Sequence, residues 1–217
     1  MEFPERLRNG YAAFRGGRLA TDRARYARLA ERGQRPEIMI IACCDSRSAP
    51  ETIFDAAPGE LFVCRNVANL VPPFDADGNW HGTSAALEFG IKRIKVRHLV
   101  IMGHGRCGGI AASLDPGSLD GTDFIGHWIN LLAPARALIA DDPMEAADRQ
   151  RALEFTSIRQ SIANLRTFPW IAAAEAAGTI ALHGAWFDIS TGELHALDGA
   201  SGSFVSLSET GQQALGL

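Results

Sequence analysis

The chain has 217 residues, 47% of them hydrophobic and 21% charged, and a formal net charge of −4. This composition excludes wholesale disorder, and the length suits one sizeable core rather than two domains. No basic stripe suggests nucleic acid, no apolar stretch approaches the roughly 18 residues of a membrane span, and residues 1–15 are charged where an export signal would be apolar, so a soluble, cytoplasmic protein is expected.

Residues 1–33 read as a helical arm. Leu7, Tyr11, Phe14, Leu19, Tyr26 and Leu29 recur at roughly helical spacing among many arginines, with a break at Gly16-Gly17. Such an arm packs either on its own domain or on a partner subunit. Residues 37–43, an apolar and β-branched run after Pro36, predict a buried strand of the parallel type. A second strand is expected over 61–65, after the Pro58-Gly59 turn, and a third over 97–103. Between them, 83–95 reads as an amphipathic helix with its basic residues placed late, where the helix dipole favours them.

A short helix is expected over 110–114, a loop over 115–120, and helices over 124–140, 144–165 and 171–177, the last ended by Gly178. Residues 179–189 read as a strand, and the turn 190–192 leads into a closing hairpin with 193–197. The whole chain, 1–217, is expected to be a single α/β domain. It should have a mostly parallel central sheet flanked by helices, an antiparallel edge strand and a helical N-terminal arm.

Two clusters fall at the carboxyl ends of expected strands, where open parallel sheets bind ligands. Cys43-Cys44-Asp45-Ser46-Arg47 follows the first strand, and Gly103-His104-Gly105-Arg106-Cys107-Gly108-Gly109 follows the third. If the strands are neighbours, two thiolates and an imidazole meet, a donor set that suits Zn²⁺ and leaves a fourth position open, as catalytic zinc does. Adjacent side chains leaving a strand point to opposite sides, so spacing alone does not choose between Cys43 and Cys44. Arg47 can hold Asp45 bidentately and keep it ionised. Gly103, Gly105 and Gly108 also fit a dinucleotide-binding pattern, but no ribose-binding acid follows at the expected distance. Cys64 reads as a small buried residue, and His81, His98, His127, His183 and His195 as structural or surface residues.

Three segments together carry a family likeness. They are Cys43-x-Asp45-Ser46-Arg47, the run from Pro58-Gly59-Glu60 through Arg65-Asn66-Val67-Ala68-Asn69, and Gly103-His104-x-x-Cys107-Gly108-Gly109. From about Gln34 to Phe204 the chain resembles the β-class carbonic anhydrases. The resemblance implies zinc-dependent reversible hydration of carbon dioxide to bicarbonate by metal-bound hydroxide, with one Zn²⁺ per chain. It places Cys43, His104 and Cys107 as ligands and Asp45 with Arg47 as the catalytic dyad. Gln34, Phe62, Phe89, Val67 and Gly108 would bind substrate, Phe89 standing where open-site members usually have tyrosine. Ile40 stands where the closed, bicarbonate-regulated branch carries tryptophan, which implies a resting Asp45 off the metal. The likeness further implies a homodimer or dimer of dimers with pockets shared between subunits, and no nucleic-acid or membrane partner. A carbonyl sulfide or carbon disulfide hydrolase on the same scaffold, or a non-catalytic zinc domain, are the competing expectations.

Overall fold

The computed structural model describes residues 3–76 and 81–208. Six strands form one sheet in the order β2-β1-β3-β4-β5-β6. They are β1 (Ile38–Cys43), β2 (Leu61–Asn66), β3 (His98–His104), β4 (Ala181–Phe187), β5 (Leu194–Leu197) and β6 (Phe204–Ser206). The first four run parallel, and β5 and β6 close the edge antiparallel. β1 lies inside the sheet, between β2 and β3, and its run is apolar on both faces, as a covered parallel strand requires; five of its six residues are buried.

Alternation along β1 divides the core. Met39 and Ile41 point into the larger cluster with Leu99 and Ile101, covered by Ile158, Ile162 and Leu165 of a long helix, α8 (Ala146–Leu165). Ile40 and Ala42 point to the other face, with Met102 and Ala185. On that face Ile38, Ile40, Leu61 and Val100 line an open apolar groove of about 560 Å³.

The remaining helices are α1 (Glu5–Gly16), α2 (Arg18–Arg32), α3 (Pro50–Ile53), α4 (His81–Glu88), α5 (Gly108–Leu114), α6 (Ile125–Ile129), α7 (Ala133–Ala137) and α9 (Pro169–Ala176). The arm is α1 and α2, split at Gly17 as expected; residues 1–2 lie outside the described part. Neither helix buries a single residue. α2 touches the body through Arg25, which donates to Glu60 at 3.0 Å, and through Leu29, which sits where a side chain on Gly59 would be.

Three expected elements differ. The helix over 83–95 is α-helical only to Glu88; Phe89–Ile94 widens into a π turn that ends at Lys95 with φ 67°. The widened turn brings Gly90 so close to Met39 and Phe62 that an added Cβ would lie 2.7 Å from the Met39 sulfur. The helix over 124–140 is broken into α6, a 3₁₀ turn and α7, because Pro134 has no amide to continue the ladder. The strand over 179–189 is shorter, since Asp188 turns back to pair with Glu193. β6 was not expected from the sequence: three residues are too few to display alternation.

Candidate metal centre

β1 and β3 are parallel neighbours, with Ala42 level with Met102, so Cys43 and His104 both stand at the carboxyl end of the sheet, His104 one residue beyond the position opposite Cys43. Cys107 is brought back by a tight turn in which Arg106 adopts φ 56°, and it caps the start of α5. The donor atoms of Cys43, His104 and Cys107 all lie within 4.8 Å of one another, and all three residues are buried. Cys44 is exposed and faces away, its backbone N–H paired with the Asn66 carbonyl at 2.9 Å.

These residues fit a tetrahedral ion. The two sulfurs are 3.9 Å apart; an ion about 2.3 Å from each would separate them by about 3.8 Å. His104 Nδ1 lies 2.9 Å from the Gly105 carbonyl, which places its proton there and leaves Nε2 as a bare lone pair. That Nε2 is buried and has no hydrogen-bond partner, a cost for a polar atom that a metal would relieve.

Asp45 borders the cluster, its Oδ2 3.9 Å from His104 Nε2. Arg47 grips it with Nε on Oδ1 at 2.9 Å, Nη2 on Oδ2 at 2.7 Å, and its backbone N–H on Oδ1 at 2.9 Å. These bonds hold the carboxyl far below the ordinary carboxylate range. Within the cysteine pair, donation from Cys107 stabilises the Cys43 thiolate against the opposing effect of burial, so Cys43 is lowered and Cys107 raised. For His104, burial opposes the charged form, but Cys43 and the Gly105 carbonyl outweigh it and the net shift is upward.

The other expected site residues divide into two groups. Val67 and Gly108 stand beside the cluster: Gly108 opens α5, and Val67 packs against Gly109 and is partly exposed. Gln34, Phe62 and Phe89 are elsewhere. Phe62 is level with Met39, four residues before Cys43 along the strand direction, or about 13 Å at a strand's rise per residue. Phe89 packs on Phe62 with the rings tilted and their centres 5.9 Å apart, and it is 49% exposed. Gln34 is exposed and precedes the start of β1. Within one chain these three do not meet the cysteines and histidine.

Two supporting residues were not singled out from the sequence. Arg65 donates to the Cys43 carbonyl at 2.8 Å and the Asp45 carbonyl at 2.7 Å, tying β2 to the loop that leaves β1. Glu154 of α8 accepts from the Cys107 backbone N–H at 3.0 Å, and burial pushes its carboxyl up. A signal for Glu154 exists: it sits in the helical stripe with Ser157, Ile158, Ser161 and Leu165, where a carboxylate is out of place unless paired.

Comparison with known proteins agrees with this geometry. The sequence profile of the family described as "Carbonic anhydrase" matches residues 38–194. A carbonic anhydrase of Pseudomonas aeruginosa is 39% identical over 177 residues, covering 81% of this chain and 80% of that protein. The β-carbonic anhydrase CcaA superposes with a TM-score of 0.88 at 31% identity, covering 93% of this chain and 91% of its own. One of two tetrameric β-carbonic anhydrases from Sordaria macrospora superposes with a TM-score of 0.78 at 31% identity, covering 92% and 96%. With the family profile spanning most of the chain and the sheet, turn and cluster in place, the chain belongs to the β-class carbonic anhydrases, a family of enzymes.

Proposed function

We propose that the chain catalyses the reversible hydration of carbon dioxide to bicarbonate and a proton, using Zn²⁺ held by Cys43, His104 and Cys107. The observation that carries this reading is the buried, partnerless His104 Nε2 facing two sulfurs 3.9 Å apart, beside a carboxylate locked by arginine. Bound zinc supplies acidification of water, so that a nucleophile exists near neutral pH. Two thiolates carry more negative charge than imidazoles would, which predicts activity rising toward alkaline pH.

Asp45 has one role in this scheme. Ionised and gripped by Arg47, it can only accept a hydrogen bond, so it would orient the nucleophile that a metal held by Cys43, His104 and Cys107 would supply. Both Asp45 oxygens are engaged by Arg47, and Ile40 stands in place of the tryptophan of the closed branch; together these support an Asp45 that stays off the metal. Val67 and Gly108 form one wall. The Gln34 amide donates to a carbon dioxide or bicarbonate oxygen, and Phe62 with Phe89 makes the opposite wall apolar and dry. Phe89 has no hydroxyl, so no proton passes through it.

Because Gln34, Phe62 and Phe89 lie away from the cluster of their own chain, each pocket is completed by a second copy. The arm supports this assembly. Residues 3–35 hold nine arginines against three acids in a chain of net charge −4, so the rest of the chain is acidic. Phe3, Leu7 and Tyr11 are each more than half exposed, leaving the arm an apolar stripe to bury. A basic, amphipathic arm and an acidic body fit each other between copies, giving a dimer or a dimer of dimers.

Stopped-flow hydration of carbon dioxide by zinc-loaded protein, from neutral to alkaline pH, tests the reading. Wild type should be fast and faster at higher pH, and Cys43→Ala should be inactive. Asp45→Asn should keep its zinc but lose roughly 100-fold or more in turnover, the scale of removing one positioned polar group. A slow wild type with one zinc per chain, active instead on carbonyl sulfide, would move the assignment to the sulfur analogues.

A further inference from the structure

α8 carries a buried carboxylate that the proposed chemistry leaves unused. Glu154 is 3% exposed. Its Oε1 accepts from the Cys107 backbone N–H at 3.0 Å and from Gln150 Nε2 at 3.1 Å; its Oε2 accepts from the Trp186 indole N–H at 3.1 Å. Gln150 Nε2 also reaches the Cys107 carbonyl at 3.3 Å. One turn of α8 therefore holds both backbone polar groups of Cys107, and β4 holds the carboxylate from behind.

This peptide needs holding. Arg106, immediately before it, sits at φ 56°, a left-handed conformation that disfavours side chains larger than glycine. Left to itself, the turn from His104 to Cys107 would relax toward a right-handed form and carry the Cys107 sulfur away from Cys43. A carboxylate buried for stability alone is a poor choice, since its desolvation is costly.

We propose that Glu154 is the positioning residue for Cys107, a clamp that accepts only, fixed by Trp186, keeping the Cys107 sulfur in ligating position. The proposal rests on the reading of Cys43, His104 and Cys107 as a metal centre. The chemistry explains why a carboxylate is used. Three N–H donors face its two oxygens, whereas glutamine would offer one acceptor and one donor and set N–H against N–H whichever way it turned.

The test compares wild type, Glu154→Gln and Trp186→Phe, which loses the indole N–H together with the five-membered part of the ring. Zinc affinity is read by competition with a chromogenic chelator, and site geometry by the thiolate-to-metal charge-transfer band of the Co²⁺-substituted protein. Melting temperatures of the metal-free proteins serve as the control for packing. Glu154→Gln should bind zinc about 10–100-fold more weakly, the usual cost of losing a residue that orients a ligand, and should alter the cobalt band. Trp186→Phe should shift both in the same direction by less; it also reads the clamp if Glu154→Gln does not fold. Zinc affinity and a cobalt band equal to wild type in both variants, whatever their melting temperatures, overturn the proposal and leave the metal centre standing. Wild type that takes up neither metal overturns the metal reading and the proposal with it.

Discussion

Arg65→Met is the most informative single change to the scaffold of the site. The variant keeps an apolar stem and removes two charged donors, one 2.8 Å from the Cys43 carbonyl and one 2.7 Å from the Asp45 carbonyl. A hydrogen bond to a charged group contributes about 1.5–3 kcal/mol, so the pair sets an upper bound of about 3–6 kcal/mol. Arg65 is only half buried, and water reaches the vacated carbonyls, which brings the expected loss to about 2–3 kcal/mol. At the size of this domain each kcal/mol lowers the melting temperature by about 2–4 °C, giving a fall of about 4–12 °C. Urea titration and calorimetry of metal-free protein measure it, with Arg23→Met on the exposed face of α2 as the reference. If the two variants are equally stable, Arg65 does not anchor the Cys43–Asp45 loop and the argument fails.

Arg47→Met probes pH dependence. The Asp45 carboxyl titrates lower in the folded chain than in the unfolded one, so the pair stabilises above the unfolded value of about 4 and the benefit is lost as pH falls through that value toward the folded one. The gap in melting temperature between wild type and Arg47→Met should be largest near neutral pH and begin to narrow as pH falls below about 4; a gap that stays constant would refute the pairing. The shared pocket is tested by mixing two inactive variants, His104→Ala and Gln34→Ala, under conditions that exchange subunits. Random exchange makes half the dimers mixed, each with one intact pocket, so activity should recover to about a quarter of wild type. No recovery, with exchange verified by mass, would mean that each pocket belongs to one chain.

Much of the fold is written in local pattern. The run from Ile38 to Cys43 reads as a buried strand because it is apolar on every residue, and the Cys-x-Asp-x-Arg and His-x-x-Cys segments read as a site because both end strands. What pattern does not carry is contact across distance. The π turn at Phe89–Ile94 brings Gly90 against Met39, and no helical periodicity encodes that meeting. For Glu154 the buried stripe of α8 says that a partner is needed, but not that Cys107 and Trp186 are the partners. The separation of Gln34, Phe62 and Phe89 from the cluster is invisible for another reason: motif position says nothing of how far apart two ends of one strand lie.

The cluster also has a history within each molecule's synthesis. Cys43 precedes Cys107 by 64 residues, so at about 5–20 residues per second it emerges several seconds earlier. What makes Cys43 acidic is chiefly the sulfhydryl of Cys107, and the thiolate is the form that oxidants and metals attack. During those seconds Cys43 is an ordinary, mostly protonated thiol. The two remaining donors arrive only when β3 docks on β1 and the turn after it brings Cys107 back, so the three groups of the cluster come together in one folding event.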